Sequence, residues 1–493
     1  MNPLLLKTST PTAPTSWQDR IVALASRPTA ATAAVAKPSV VFEPSAAQSA
    51  AATYGDASKA AVDPSSDDAI AAIITRNAAS ANSSTVFAGL GQALLGRFNT
   101  EGTNFSTDAA SSSGADAAIS LGIRTASGAT VKLALNASSS GLSVSLNSDR
   151  TLTDSEKQAI ASLASAFQDA VDGLSKQPPS LSLDGLMGAD TSVLSSVDLN
   201  ATVATMPGVH ETIALHTGTD ARSLKVDGPS GSIAMDLDMS QPATWGNRTQ
   251  RDAAVASYLG QVDAAASRGH ADASLVALFK DGFSQLNSHY PTSPTSASTR
   301  GTTRALSSTD HALLTGLADF NASISQASSA PNPMHGDELD TFNYDVSQST
   351  TLSGRNASDR HLTQTLASHL TASFHTSPWP DTPLHLTDKL GSQNYNYTQI
   401  DDSAHASTDI AYAKGKLVSA SIQHDASQDT HVKKYMVGQL IDDTDTPSHG
   451  ESTRDLLPLL TNLAHDTKAD PTASLDTLHG YTGLRADPLS ARK

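Results

Sequence analysis

Between Ala118 and Asn147 the chain alternates apolar and polar residues. Ile119, Leu121 and Ile123 are separated by Ser120 and Gly122; Val131, Leu133 and Leu135 by Lys132 and Ala134; Leu142, Val144 and Leu146 by serines. A two-residue period puts every apolar side chain of a strand on one face. The intervening stretches TASGAT and NASSSG carry the small and turn-forming residues of hairpin connections. Three antiparallel strands with one apolar face need a cover, because a lone sheet of this size would leave that face wet.

The cover follows directly. Thr153 with Glu156 three residues later forms the pattern of a capping box, and Ile160, Leu163, Phe167, Val171 and Leu174 recur at helical spacing. Gly173 and the pair Pro178 and Pro179 end that helix. Upstream, SSDDAIAAIITRNAAS and STVFAGLGQALLGRF predict two more helices, with Ile70, Ile73 and Ile74 on one and Val86, Leu90, Leu94 and Leu95 on the other.

The same arrangement recurs downstream without a residue-level repeat. Alternation at Val197 to Val203, ETIALHT and RSLKVDGPSGSIAMDLDMS predicts strands. They precede helices near 250–267 and 271–286. Leu313, Leu314, Leu317 and Phe320 predict a further helix. A Thr-rich and His-rich β section follows, and the last helix lies at TRDLLPLLTNLAHD with Pro458 in its first turn or at a kink.

These patterns assign the chain to the α+β class: small antiparallel β-hairpin and meander units, each covered by amphipathic helices, with a disordered N-terminal tail. The expected organisation is a tail rich in Ala, Ser, Thr and Pro over 1–68 and a helical and three-stranded unit over 69–180. Strands with two helices then span 195–289, a linker 290–310, a mainly antiparallel β module 311–468 and a frayed C-terminus 469–493.

Composition narrows the function classes. The net charge is −17, from 32 Lys and Arg against 49 Asp and Glu, which argues against nucleic acid or an anionic membrane surface as a partner. No apolar run reaches the roughly 18 residues of a membrane helix. The absence of cysteine excludes disulfides, thiolate-bound zinc, iron–sulfur clusters and thiol nucleophiles. It fits export to an oxidising compartment, and equally a composition drifted toward Ala, Ser and Thr. MNPLLLKTSTPTAPTS lacks the apolar core of a secretory signal. An acid-poor N-terminus with Trp17, Ile21 and Leu24 on one helical face is read either as a different export address or as a soft tail; otherwise the location is cytoplasmic, and a mitochondrial precursor is a weaker third reading.

Chemical motifs are sparse. All 16 histidines lie at or beyond His210, and His361, His369 and His375 are the metal-ligating candidates, although their spacings of eight and six residues are not those of a helical zinc motif. Asp443 and Asp445 have calcium-loop spacing, but Pro447 and Ser448 break the pattern, leaving a solvated acidic loop. Asp236 and Asp238 share a strand face and are a candidate acid/base pair or a solvent-facing alternation. GLGQALLG displaces the third glycine of a dinucleotide fingerprint, so Gly89 and Gly91 are read as close-packing positions. No cofactor and no catalytic residue is assigned. The expectation is a noncatalytic protein of bacterial type, exported or surface-associated, acting on protein partners by binding or assembly. The alternative is a hydrolase with a site assembled from the His-rich C-terminal module.

Overall fold

The alternation seen in the sequence becomes one sheet. The computed structural model describes residues 69–79, 85–102, 104–110, 116–176, 179–291, 306–465, 478 and 480–492. The expected tail over 1–68 lies outside them, as do 292–305 of the expected linker. Among the described residues fourteen strands pair in the order β1-β4-β3-β2-β5-β6-β7-β8-β9-β10-β11-β12-β13-β14, all antiparallel. They are β1 (Phe105–Ala109), β2 (Ala117–Thr125), β3 (Thr130–Ser138), β4 (Gly141–Ser148), β5 (Leu194–Met206), β6 (Val209–Gly218) and β7 (Ala221–Gly228). Then come β8 (Gly231–Asp238), β9 (Asp319–Gln326), β10 (Thr341–Gly354), β11 (Arg360–Thr376), β12 (Tyr395–Ala413), β13 (Lys416–Met436) and β14 (Gln439–Asp455). The three stretches 69–180, 195–289 and 311–468 contribute β1–β4, β5–β8 and β9–β14 to this single sheet.

One face is apolar across β1 to β9 and mainly apolar on β10 to β13. Leu121, Leu133 and Leu199 are buried in register with one another, and Leu215, Leu224, Met235, Ala322 and Val346 continue the row. Helices cover that inner face: α1 (Ala69–Ala78), α2 (Leu90–Glu101), α3 (Asp154–Ser162), α4 (Ala164–Leu174) and α5 (Asp184–Met187), then α6 (Arg248–Gly269) and α7 (Ala273–Leu286). The capping box forms as predicted. The Thr153 hydroxyl accepts from the Glu156 backbone N–H, and the Glu156 carboxylate accepts from Thr153 N–H at 2.8 Å. Hydrogen bonds from the Ser127 hydroxyl and from Thr153 lower the Glu156 carboxyl to about 2.

Gly91 is a close-packing position, since a Cβ there would lie 2.6 Å from the Phe167 ring. Gly89 is different: nothing lies within 4 Å of its would-be Cβ, and its φ of +73° at the N-cap of α2 is the reason for glycine. Farther along, the expected helix through Leu313 and Phe320 does not form. After α8 (Ser308–Ala312) the chain turns at Gly316, φ +79°, and Phe320 enters β9. Leu313, Leu314 and Leu317 are still fully buried, so their spacing reports burial rather than helix.

A second apolar cluster sits under β11–β13, where Leu314, Leu362, Ile410, Ile422 and Leu456 meet Leu460 of α9 (Leu457–His465). Beside it the Arg360 guanidinium donates to the Asp310 carboxylate, both nearly inaccessible, and stacks 3.6 Å over the Tyr412 ring. Residues 480–492, which composition suggests would fray, instead dock. Helix α10 (Pro488–Ala491) packs on β13 and β14, and the Ser452 hydroxyl donates to the Ala491 carbonyl.

Two losses of stability follow, to be read from denaturant unfolding of the full chain. Phe167→Ala, which empties the contact between α4 and α2, is expected to cost about 3–5 kcal/mol. Asp310→Ala, which strands the buried Arg360 charge and removes the cap of α8, is expected to cost about 3–5 kcal/mol.

Candidate interaction surface

Among the described residues no helix covers the outer face of the sheet over most of its width, and the sequence puts small polar residues there. One cross-strand row reads Asp198, His216, Ser223, Asp236, Asn321, Ser347, Ala367, His405, Asp425 and Glu451, each directly opposite the next. Asp236 is exposed here between Ser223 and Asn321, and Asp238 lies farther along the same face. The acidic stretch Asp442–Glu451 is not a loop but part of β14, the edge strand, whose residues are exposed on both faces apart from Gly450 and Ser452.

The three candidate histidines share this face of β11 but do not meet. An extended strand rises about 3.3 Å per residue, so His361 and His369 stand roughly 26 Å apart and His369 and His375 roughly 20 Å. Each has its own carboxylate: His361 Nε2 lies 2.7 Å from Asp409, His369 Nε2 2.9 Å from Asp401, and His375 Nδ1 2.6 Å from Asp340. The same pairing recurs at His210 with Asp116, His216 with Asp198 and His431 with Asp443. Three of these contacts, at His361, His369 and His431, are diagonal across neighbouring strands, the second-neighbour contact that an antiparallel ladder supplies, while His216 faces Asp198 directly.

His375 is the exception in burial, with its side chain fully enclosed. At this end of the sheet the β9–β10 connection (327–340) and the β11–β12 connection (377–394) fold over the outer face. Glu338 approaches His375 Nε2 at 3.3 Å and accepts a 2.8 Å bond from the Tyr395 hydroxyl. Burial, then that carboxylate, pushes the Tyr395 phenol far above its ordinary value, so it remains a donor. Tyr395 stacks on Tyr435 with ring centres 4.7 Å apart, and the Tyr397 ring lies 4.8 Å from His375. Asn332 donates to Gln393, both wholly buried, and Gln393 donates to the Thr387 carbonyl. The Tyr397 and Ser373 hydroxyls both donate to the Leu339 carbonyl. Two long connections are thereby fastened to the strands.

What these fastened loops display is apolar. Among the described residues, eleven large hydrophobic side chains are exposed. Seven of them, Met334, Leu339, Trp379, Leu390, Val437, Leu440 and Ile441, lie on the β9–β10, β11–β12 and β13–β14 connections or the strand ends beside them. Antiparallel order brings those three connections to one end of the sheet. Leu390 reaches the β13–β14 turn, where a Cβ on Gly438 would lie 2.9 Å from it. Around this apolar end stand Asp337, Asp381, Asp388, Asp442 and Asp443, against Lys389, Lys433 and Lys434. The sequence reading missed this surface because its members are scattered over more than a hundred positions. The signal available was the pair of apolar residues Leu440 and Ile441 inside an acidic, turn-flanking stretch.

A cavity of about 80 Å³ lies between α6, β11 and the 482–484 segment, lined by Gln250, Tyr258, Gln261, Thr315 and Leu366 among others, with neither carboxylate nor imidazole in its walls. No helix among the described residues is long and apolar enough to cross a membrane. Comparison of the chain with protein-family models, with curated proteins and with solved structures finds no match.

The histidines also set a pH response. His424, 3 % exposed on the inner face of β13, bonds through Nε2 to the Tyr481 carbonyl at 3.0 Å, while burial and then Arg485 lower it to about 4. Between pH 6.5 and 4 the unfolded chain therefore takes up a proton that the folded chain refuses, and stability falls as pH drops through that window. Unfolding free energies at pH 7.5 and pH 5 are expected to differ by about 2 kcal/mol from this group, a difference that His424→Gln removes.

Proposed function

We infer that this chain is a noncatalytic binding protein whose working surface is the apolar end formed by the β9–β10, β11–β12 and β13–β14 connections. The observation that carries this reading is the gathering of seven of the eleven exposed large hydrophobics at that one end. Exposed apolar groups rimmed by polar ones are the usual composition of a protein-docking surface. Burial of Asn332, Glu338, His375, Gln393 and Tyr395 beneath it fixes the loops in advance, which reduces the ordering entropy that a partner must overcome.

The rim selects the occupant. Five exposed or edge aspartates against three lysines, on a chain of net charge −17, disfavour a second copy of the same surface and favour a different protein with an apolar centre and a basic border. The hydrolase alternative gains no support from this geometry. Its three histidines are each paired to a separate aspartate, and the cavity beside α6 has neither carboxylate nor imidazole in its walls.

Site-specific photo-crosslinking in the native cell tests the assignment. Crosslinkers at Trp379, Leu390 and Leu440 are expected to yield one discrete adduct with a basic protein, weakened by salt and abolished by Trp379→Asp with Leu440→Asp. Crosslinkers at Val418 and Met206, exposed elsewhere, are expected to give none. Adducts joining two copies of this chain would make the surface one of self-assembly, and equal labelling from all five positions would sink the reading.

A further inference from the structure

The His–Asp pairs on the outer face differ in one respect. His216, His361, His369 and His431 touch their aspartates at 2.5–2.9 Å, which is hydrogen-bonding distance. His449 Nε2 stands 3.7 Å from Asp425 Oδ2, too far for a hydrogen bond. Asp425 is also directly opposite Glu451 in the β13–β14 register, and His449 lies on the same outer face two residues before it. One ligand atom from each of Asp425, His449 and Glu451 falls within 4.8 Å of the other two, the one such trio among the described residues. Donor atoms about 2.0–2.2 Å from a tetrahedral ion are about 3.4 Å from one another, so the separation at Asp425 and His449 is that of two ligands with an ion between them.

We propose that this corner of β13 and β14 binds a divalent transition-metal ion of the zinc class through Asp425, His449 and Glu451, with water completing the shell. An imidazole with two carboxylates and no carbonyl ligands matches zinc-class ions, whereas calcium takes six to eight oxygens and magnesium an octahedron of them. The backbone that carries the ligands is held from behind. Gly450, the buried residue between His449 and Glu451, lies against the Pro488 carbonyl so closely that no side chain fits, and the Arg492 guanidinium donates to the His449 carbonyl. His405 sits opposite Asp425 on β12. Bound metal would tie the edge strand to its neighbour, since it takes ligands from both.

Cobalt(II) is the probe, because tetrahedral coordination gives visible absorption where hexaaqua cobalt is nearly colourless. Titration of the full chain at pH 7.5 is expected to saturate at one ion per chain, with the colour bleached by added zinc. His449→Ala and the isosteric Glu451→Gln are each expected to weaken binding at least tenfold, while His361→Ala, which removes a hydrogen-bonded pair elsewhere on the face, leaves it unchanged. All three positions are solvent-facing, and unfolding midpoints measured in chelator check that the variants fold. No saturable visible absorption, or equal affinity in His449→Ala, Glu451→Gln and the unaltered chain, overturns the proposal.

Discussion

The strict two-residue period is the constraint on which the rest of this structure depends. Among the described residues fourteen antiparallel strands share one sheet, and β1 to β13 send most of their apolar side chains to the same face. A slip of one residue in any pairing would turn that strand's whole apolar set into water and its serines, threonines and aspartates into the core. Register is therefore enforced by burial at the ladders from β1 to β13. The paired rows of Leu121, Leu133 and Leu199 inside and Asp198, His216 and Asp236 outside are two views of the same constraint.

Covering one face only has consequences for the other. Among the described residues the outer face has no second layer over most of its width, and it meets water with small polar side chains and with imidazole–carboxylate pairs that satisfy each other locally. Where the cover ends, beyond the reach of α6 and α7, β14 is exposed on both sides apart from Gly450 and Ser452, where α10 packs, and carries Asp442, Asp443, Asp445, Pro447 and Glu451. A charged edge bearing a proline resists pairing with a strand from another chain. The exposed apolar groups lie beside this protected edge, at the strand ends.

Much of the fold was legible because local patterns carried it. The three hairpin strands from Ala117 to Ser148, the capping box at Thr153 and Glu156, and the helices α6 and α7 all follow from spacing. Failures have physical causes. Leu313, Leu314 and Leu317 mimic helical spacing, but Gly316 in the left-handed region breaks the helix, and the leucines bury themselves from a turn. Asp442 to Glu451 looks like a loop by composition, because edge strands use loop-like residues to avoid pairing. Gly89 and Gly91, two positions apart, serve unlike purposes, one for its φ and the other for its lack of a Cβ.

The candidate sites were hardly legible at all. The clustering of histidines after His210 is visible in the sequence, yet the strand rise separates His361, His369 and His375, while the hairpin register brings together Asp425, His449 and Glu451, up to 26 positions apart in sequence. By itself the sequence determined which residues are inside and which outside, since that depends on a period of two and of 3.6 read over a few neighbours. Only the tertiary structure decided that the strands join into a single sheet, which loops meet at its end and which carboxylate faces which imidazole. Those depend on strand order and pairing offset, long-range quantities that no local period encodes.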